Sequence, residues 1–506
     1  MNLTGKRVLI FQQRNWAITI GHPLAKRLQS EGCLLAALTF KPSTDEFIRS
    51  QKEVVYEMVE SNDNVIEHPE DYNVEPSLDL TEVCRELKIV SIWPIVGALR
   101  SFVRSYKDKY YYGFKQNVTD KETIQYILAV YALTRKMFTE FKPDIIIAPN
   151  FVSFPHIVFS LYAKAHGVPM FGITDNKVKG SWIFTHSYQD NVGPFWDRID
   201  ELDRGADTAN RQQAKKYIAE IRTGMQNEIK NPNRIKINKL SFVKKIRHFA
   251  SPFYQSLRWL MNPNKNYVKR LGITTDYRPP RIIFRDHFCN DRYKKFMDHF
   301  SYDAFDTIKK FVYFPLQVQP EASIDVTSPF FNNQIEVARL VAQSLPDDYV
   351  LVVKEHPAMV GMRPPSYIEK IARTMNVAFI DYRIPPAYVL SRAALVVSPN
   401  SSTIAEAAFL NKHAIQMGDS GTTLKLPNVT KHTDMTTLGE KIYQILQVNL
   451  RTPEYERRLE NFVAAAYDTS FSCDYVRVWE EGDTKQLPKL LDEFISEVKR
   501  SMSSTL

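Results

Sequence analysis

The sequence predicts an α/β protein built from two doubly wound, mainly parallel sheet domains. Three observations support this fold class. The chain, at 506 residues, exceeds the size of one ordinary domain. Continuous apolar runs, such as 350–353 and 394–397, are typical of strands buried on both faces of a parallel sheet. Polar residues crowd just beyond these runs, where open α/β sheets bind ligands.

Residues 1–200 are predicted to form the N-terminal domain. A strand, a helix and a second strand open it, as in a doubly wound fold. The predicted strands are 8–11, 34–40, 144–148 and 170–174, and the predicted helices are 23–31, 124–141 and 156–166. Asn150 follows the third strand and is a candidate contact for an acceptor, although asparagine is also common in turns.

Residues 201–304 are predicted to form a basic helical insertion. From Lys230 to Arg270 there are eleven Lys or Arg residues and no Asp or Glu, in a chain of net charge +9. Apolar residues recur between these cations at helical spacing. Pro252 is predicted to break this helix, and residues 281–284 are predicted to form a short strand.

Basic amphipathic segments of this kind are typical of contact with an anionic membrane surface. The alternative is a helical hairpin whose apolar face packs internally. Nucleic acid is a weaker alternative, because no known nucleic-acid-binding fingerprint accompanies the charge.

Residues 305–448 are predicted to form the second sheet domain, and one of its strands is followed by a run of hydroxyl residues. Ser401, Ser402 and Thr403 stand between this strand and a run of good helix formers. Free N–H groups and the helix dipole make a helix N-terminus a favourable phosphate site. The alternative is structural capping, with Thr403 as N-cap and Glu406 bonding back to it.

A second strand of this domain ends in Lys354-Glu355-His356-Pro357. The proline disfavours helix at the residue before it, so His356 is expected in an extended turn at the strand end. Polar groups at two strand ends of one parallel sheet favour a binding site there.

The motifs KEHP at 354–357 and SPNSSTIAEA at 398–407 resemble the nucleotide-binding half of GT-B glycosyltransferases. They look most like the capsule polysaccharide biosynthesis group, which includes β-Kdo transferases, and like bacterial sialyltransferases with His-Pro and Ser/Thr motifs. FPLQVQPE at 314–321 is similar to the PLQ strand end that opens this domain in capsule proteins. The resemblance implies a GT-B-like fold: two Rossmann-like domains facing a cleft, here with the basic helical insertion and C-terminal helices.

The resemblance further implies a glycosyltransferase that uses a nucleotide-activated sugar, with a CMP-sugar favoured. The acceptor would be a surface or capsular glycan or glycolipid. The residues implied to bind the donor are Gln319, Glu321, Lys354, His356, Ser401, Ser402, Thr403 and Glu406.

His22, in a Gly-His-Pro turn, matches by position the histidine that serves as general base in many inverting GT-B enzymes. An imidazole with a pKa near neutrality suits removal of a proton from a sugar hydroxyl. A capping or packing histidine is the alternative.

The four cysteines form no CxxC pair, which argues against a thiolate zinc site and a disulfide framework. No clear DxD-type carboxylate pair follows a strand, so the expected mechanism uses no metal and no cofactor. A sugar-nucleotide epimerase or hydrolase of the same fold is an alternative function, and so is a non-catalytic polysaccharide assembly factor.

No signal peptide and no spanning segment are predicted. The expected location is the cytoplasm, with contact to the inner face of the membrane through 230–270 as one alternative. Residues 449–506 are predicted to form helices that pack back on the first domain.

Overall fold

The computed structural model of the chain describes residues 2–72, 79–99, 119–232, 242–261 and 280–503. Residues 233–241 and 262–279 of the predicted basic segment therefore lie outside the described residues. The described part of the chain is organised around two six-stranded sheets, and each sheet has a hydrophobic core on both faces. They confirm the predicted fold class of two doubly wound α/β units facing a cleft.

The first sheet has the strand order β3-β2-β1-β4-β5-β6. Its strands are β1 (Arg7–Gln13), β2 (Leu34–Phe40), β3 (Met58–Ser61), β4 (Ile145–Ile147), β5 (Met170–Asp175) and β6 (Trp182–Thr185). All pairings are parallel except that of β5 with β6. Successive side chains of β1 enter the cores on opposite faces, which explains its continuous apolar run.

The second sheet has the strand order β12-β11-β10-β7-β8-β9, and all of its pairings are parallel. Its strands are β7 (Phe311–Pro315), β8 (Val350–Lys354), β9 (Val377–Ile380), β10 (Leu395–Ser398), β11 (His413–Gln416) and β12 (Val429–Lys431). Strand order reverses between β1 and β4 in the first sheet and between β7 and β10 in the second. Doubly wound folds open a crevice at such switch points.

Helices cover both sheets. In the first half of the chain they are α1 (Arg14–Trp16), α2 (His22–Ser30), α3 (Pro42–Ser50), α4 (Asn62–Glu67), α5 (Leu80–Glu86), α6 (Asp120–Lys136), α7 (Phe154–Ala165), α8 (Pro194–Asp203) and α9 (Arg211–Lys230). The remainder are α10 (Phe242–Met261), α11 (Pro280–Asp298), α12 (Ala322–Asp325), α13 (Gln334–Gln343), α14 (Pro365–Ala372), α15 (Pro386–Arg392), α16 (Ser402–Phe409), α17 (Gly421–Leu424), α18 (Leu438–Leu446), α19 (Pro453–Thr469) and α20 (Leu487–Ser503).

Within the described residues, the chain crosses between the two sheets twice. Phe195 and Trp196 of α8 and Ala214 of α9 lie in a core of the second sheet, together with residues of α19. Leu490 and Phe494 of α20 return to a core of the first sheet. The domain boundaries at 200, 304 and 448 stay predictions.

Two predictions about the basic insertion are wrong. Residues 281–284 do not form a strand; they lie in the first turns of α11, where Ile282 and Ile283 are buried. An apolar run this short does not distinguish a strand from a helix. Pro252 does not break α10, because the helix continues through it from Phe242 to Met261. None of the helices described combines the length and the apolar composition that crossing a bilayer requires.

Candidate active site

A cavity of about 950 Å³ opens between the two sheets. Residues that end or follow β1, β4 and β5 line it on one side, and residues that end or follow β7, β8 and β10 line it on the other. Both switch points therefore face the same space. Open α/β folds bind ligands at such places, and the volume lies within the usual range of small-molecule sites.

The N-terminus of α16 lies at the second-sheet wall of the cavity. Ser401 is its N-cap, and its Oγ accepts a hydrogen bond from the backbone N–H of Thr403 at 3.1 Å. The alternative in which Thr403 is the N-cap, with Glu406 bonding back, is therefore wrong, because the helix already begins at Ser402. Ser401, Ser402 and Thr403 all line the cavity, beside backbone N–H groups of the helix's first turn.

Asn400 holds this turn in place. Its Nδ2 donates hydrogen bonds to the carbonyl oxygen of Ser323 at 3.0 Å and to Oγ1 of Thr327 at 2.7 Å. Ser323 and Thr327 belong to the segment that follows β7. The side chain thus ties the ends of β7 and β10 together, and this fixes the position of the serine and threonine hydroxyls.

His356 follows β8 and lines the same wall. Its Nδ1 accepts a hydrogen bond from the backbone N–H of Ala358 at 3.2 Å, within the turn that Pro357 begins. Partial desolvation lowers the pKa of His356 below its usual range, so the ring is neutral at neutral pH. Since Nδ1 accepts, Nε2 carries the proton of the neutral ring and is a hydrogen-bond donor.

Lys354 brings a positive charge to the cavity wall. Its side chain is buried, and its Nζ donates a hydrogen bond to the carbonyl oxygen of Ile384 at 2.8 Å. Burial lowers the pKa of Lys354 to about 8, and the negative charges of Glu406 and Glu228 oppose that shift. Lys354 therefore remains mainly protonated at neutral pH, beside the partly buried Glu406, whose pKa burial raises.

Glu355 and Arg363 form a buried ion pair behind His356. Each side chain is 1% exposed, and their N–O distance is 2.5 Å. The same carboxylate oxygen of Glu355 accepts the backbone N–H of His356 at 2.7 Å. Glu355 thus positions the histidine turn, and breaking the pair would leave a buried charge uncompensated.

The remaining two candidates from the second domain differ in their placement. Glu321 lines the cavity and accepts a hydrogen bond from Ser323 Oγ at 2.8 Å. Gln319 is 1% exposed and does not line the cavity; it bonds Asp325 and Gln334, each at 3.2 Å. Gln319 can therefore influence the site only through these neighbours.

The first-sheet wall carries carboxylates. Burial raises the pKa of Asp190 to about 7, and Lys177 opposes that shift. Oδ2 of Asp190 accepts a hydrogen bond from Thr174 Oγ1 at 3.1 Å, and Asp175 pairs with Lys177 at 2.9 Å. Thr174 and Asp175 end β5, Lys177 and Asp190 lie in the loops that follow β5 and β6, and all four line the cavity. A carboxylate with a pKa near neutrality can exchange a proton with a substrate.

Gly421 sets the position of Asp190 relative to the second sheet. Its N–H donates to the carbonyl oxygen of Gln189 at 2.8 Å. A Cβ at this position would lie 2.3 Å from both the carbonyl oxygen of Asp190 and Cβ of Asn191. Only glycine permits this approach, so the loop that carries Asp190 lies directly against the N-terminus of α17.

Asn150, the predicted acceptor contact, also lines the cavity. Its Oδ1 is buried and has no hydrogen-bond partner among the residues that the structure describes. A buried acceptor without a partner is costly, and a substrate hydroxyl could supply the missing donor.

The structure does not bring His22 into the cavity lining. The ring is buried at the start of α2, where Nε2 lies 2.9 Å from a carboxylate oxygen of Glu53. It also packs on Phe47, with ring centroids 5.4 Å apart. This environment is that of a packed histidine, and its role as a base stays a prediction.

Sequence analysis did not identify Asp190 and Thr174 as functional candidates. Thr174 was visible only as the last residue of a predicted strand. Asp190 lies in a Gln-Asp-Asn loop that resembles an ordinary turn, and its φ of 50° fits one. Its hydrogen bond with Thr174 and the contact of its loop with Gly421 hold it at the cavity.

No family model matches the chain, and a search of curated proteins gave no match. Solved structures gave matches at low identity. The β-Kdo 2,7 transferase KpsC of Thermosulfurimonas dismutans is 14% identical, over 74% of this chain and 87% of that one, with a TM-score of 0.34. UDP-GlcNAc 2-epimerase of Neisseria meningitidis, bound to UDP-GlcNAc, is 12% identical over 91% and 98%, with a TM-score of 0.25.

The calicheamicin glycosyltransferase CalG4 is 11% identical, over 91% of this chain and 95% of that one, with a TM-score of 0.27. These neighbours therefore include both transferases and epimerases. Similarity at this level does not identify the reaction of this protein, which has to be argued from its own cavity.

Proposed function

We propose that this protein is a glycosyltransferase that moves a sugar from a nucleotide-activated donor to a glycan or glycolipid acceptor. The observation that carries the proposal is the division of chemistry across one cavity. Hydrogen-bond donors and a cation line the second-sheet wall, and a carboxylate with a pKa of about 7 lines the first-sheet wall. A phosphate leaving group needs hydrogen-bond donors and a positive charge, and an acceptor hydroxyl needs a carboxylate that can take its proton.

The donor phosphate would bind at the N-terminus of α16. Backbone N–H groups and the hydroxyls of Ser402 and Thr403 would donate to its oxygens. Nε2–H of His356 and the charge of Lys354 would stabilise the negative charge that develops on the leaving phosphate. In this proposal Ser401 and Glu406 hold the helix turn and the lysine, Glu321 contacts the donor, and Gln319 supports the wall from behind.

The acceptor would bind at the first-sheet wall. Its hydroxyl oxygen attacks the anomeric carbon, the bond from that carbon to the phosphate oxygen breaks, and the hydroxyl proton passes to Asp190. Asn150 Oδ1 would accept a hydrogen bond from another acceptor hydroxyl. Holding the two substrates in this orientation is itself a large part of catalysis.

For the donor we favour a CMP-sugar, and for the pathway capsular or other surface polysaccharide synthesis, both on the resemblance of the KEHP and SPNSST motifs. A thermal-shift screen with CMP-, UDP- and GDP-sugars tests this choice, since a ligand of the folded state raises the unfolding midpoint. The largest shift should come with a CMP-sugar. A larger shift with a UDP- or GDP-sugar would assign the donor to that nucleotide. If none of the sugar nucleotides shifts the midpoint, the proposed donor site is wrong.

A sugar-nucleotide epimerase is the second candidate, because Asp175 and Asp190 place two carboxylates at one wall. The two reactions differ in their need for an acceptor. An epimerase would interconvert sugar nucleotides without an acceptor, whereas a transferase would release nucleotide only with an acceptor or slowly to water. Following the sugar nucleotide by NMR without acceptor distinguishes them.

We also propose that α10 contacts an anionic membrane surface. Apolar side chains along it are more than half exposed, including Val243, Ile246 and Phe249. The exposed cations Lys244 and Arg247 lie between them. This exposure favours the membrane over the internally packed hairpin, in which the same side chains would be buried.

Cosedimentation with vesicles tests this surface. Vesicles that contain anionic lipid should bind the protein, and high salt should weaken the binding because exposed charges are screened. Replacing Lys244 and Arg247 by glutamate should release the protein, whereas the same change at Lys215 and Lys216 of α9 should not. Absence of binding at low salt would overturn the proposal.

A further inference from the structure

Helices α10 and α11 pack against each other outside the cleft. Phe253 of α10 contacts Phe284 of α11, with ring centroids 5.0 Å apart. One helical turn along the same interface, the imidazole rings of His248 and His287 lie 4.4 Å apart at an angle of 36°. Asp291, four residues after His287, faces the same pair.

Three side chains that can bind a metal converge at this point. Nε2 of His248 lies 3.0 Å from Oδ1 of Asp291, and Nε2 of His287 lies 3.9 Å from Oδ2 of the same carboxylate. One ligand atom from each residue lies within 4.8 Å of the other two. His287 and Asp291 are on one face of α11, since residues four apart are neighbours on a helix.

We propose that His248, His287 and Asp291 bind a divalent transition-metal ion, with Zn²⁺ as the best match. Two imidazole nitrogens and one carboxylate oxygen are preferred zinc ligands, at about 2.0–2.2 Å each. Small side-chain rotations suffice to place three atoms that are already this close around one ion. Three protein ligands leave a fourth position for water, because zinc prefers four-coordinate sites.

The geometry itself supports the site. The three side chains come from two packed helices and converge on one point, so one divalent ion can bind both imidazoles and the carboxylate together. Sequence analysis expected no metal ligands, because the chain has no CxxC pair and no clear DxD-type carboxylate pair. The two histidines are far apart in the chain and come together only when the helices pack.

The site would clamp α10 to α11. His248 is the ligand from α10, so metal binding would fix the orientation of the helix that carries the exposed apolar side chains. The site does not line the cleft cavity and takes no part in the proposed sugar transfer. The test of the metal site is therefore independent of the test of the proposed sugar transfer.

Calorimetric titration of the full chain, freed of metal by chelation, with Zn²⁺ tests the site. We expect one ion per chain and a higher unfolding midpoint with the ion present. His287→Ala and Asp291→Asn should each weaken binding at least about tenfold, since even indirect ligand partners contribute that much. Circular dichroism would establish that both variants are folded.

His68→Ala is the matched control, because His68 also lies near a carboxylate, Glu70, at 3.5 Å, but belongs to no such three-residue group among the described residues. It should bind Zn²⁺ as the wild type does. Failure of the wild type to bind Zn²⁺ would overturn the proposal. Equal affinity in the wild type and both ligand variants would overturn it too, by placing the ion elsewhere.

Discussion

The two sheets share one strand order but present different chemistry at their carboxyl ends. The second sheet offers Lys354, His356 and the N-terminus of α16 to the cavity, which are groups that bind negative charge. The first sheet offers Asp175 and Asp190, which can accept protons. The shared topology brings both sets of strand ends to one cavity. In the proposed reaction, the side chains at these strand ends and loops determine which wall serves the leaving group and which serves the nucleophile.

The largest effect should come from the first-sheet wall. Asp190→Asn removes the proposed base and should lower turnover by about 10²–10⁴-fold, the usual contribution of general-base catalysis. Donor affinity should stay near that of the wild type, because the amide keeps the size of the carboxylate. Steady-state rates and calorimetry measure the two quantities.

His22→Ala is the competing variant in the same assay. If Asp190 is the base, His22→Ala should cost less than about threefold in rate at equal stability. A large loss of rate in His22→Ala with a normal rate in Asp190→Asn would identify His22 as the base. The first domain would then have to move, because His22 does not line the cavity.

An intermediate effect is expected at the second-sheet wall. Changing Ser401 and Ser402 together to alanine should weaken nucleotide binding by about 1–3 kcal/mol, the scale of hydrogen bonds to a charged group. Ser401 is also the N-cap, so its loss should cost stability by about 0.5–2 kcal/mol.

Ser402→Ala separates these two effects, because Ser402 is exposed and is not the cap. It should weaken nucleotide binding without changing the unfolding midpoint. If the double variant loses stability but keeps its affinity, the hydroxyls serve only as caps.

The smallest effect is a pH dependence. Because the pKa of Asp190 is raised to about 7, its basic form increases about tenfold from pH 6 to pH 8. Lys354, with a pKa of about 8, loses about half of its charge over the same range, so kcat/KM should rise about fivefold. Asp190→Asn should lose this rise. An unchanged profile in the variant would assign the titration to another group.

The ionisation of Asp190 should also affect the free energy of unfolding, but in the opposite direction from the rate: stability should fall as pH rises. The folded pKa lies above the unfolded value of about 3.9, so the folded state favours the protonated carboxyl. Relative to Asp190→Asn, the wild type should therefore lose stability as pH rises from about 4 through about 7. Urea unfolding at several pH values measures this difference.

The contrast between the two walls also explains what could be predicted from the sequence. His356 and Ser401–Thr403 follow apolar strands of a parallel sheet and lie in short contiguous motifs, so the sequence alone indicated that they line a binding site. Asp190 lies in a loop after the antiparallel strand β6, and its pKa is raised by burial that arises only in the folded chain. No local pattern carries that information.

Short apolar runs gave both correct and incorrect predictions of secondary structure. The apolar runs in β1 and β8 were predicted as buried strands, and the structure confirms both. The run at 281–284 begins with Arg281 and forms part of α11 instead, because an apolar run this short does not distinguish a strand from a helix. His22 shows the same limit: its position in a Gly-His-Pro turn suggested a base, whereas its contacts with Phe47 and Glu53 could not be predicted from the sequence, and its role stays a prediction.

Nucleotide affinity in two variants most directly tests the proposal that the second-sheet wall binds the donor and the first-sheet wall supplies the base. The nucleotide selected by the thermal-shift screen would be titrated into the wild type, His356→Ala and Asp190→Asn, each shown to be folded. We predict that His356→Ala weakens binding by about tenfold or more, as loss of a hydrogen bond to a charged group does, and that Asp190→Asn leaves affinity unchanged or tighter. Weaker binding in Asp190→Asn together with unchanged binding in His356→Ala would contradict the account.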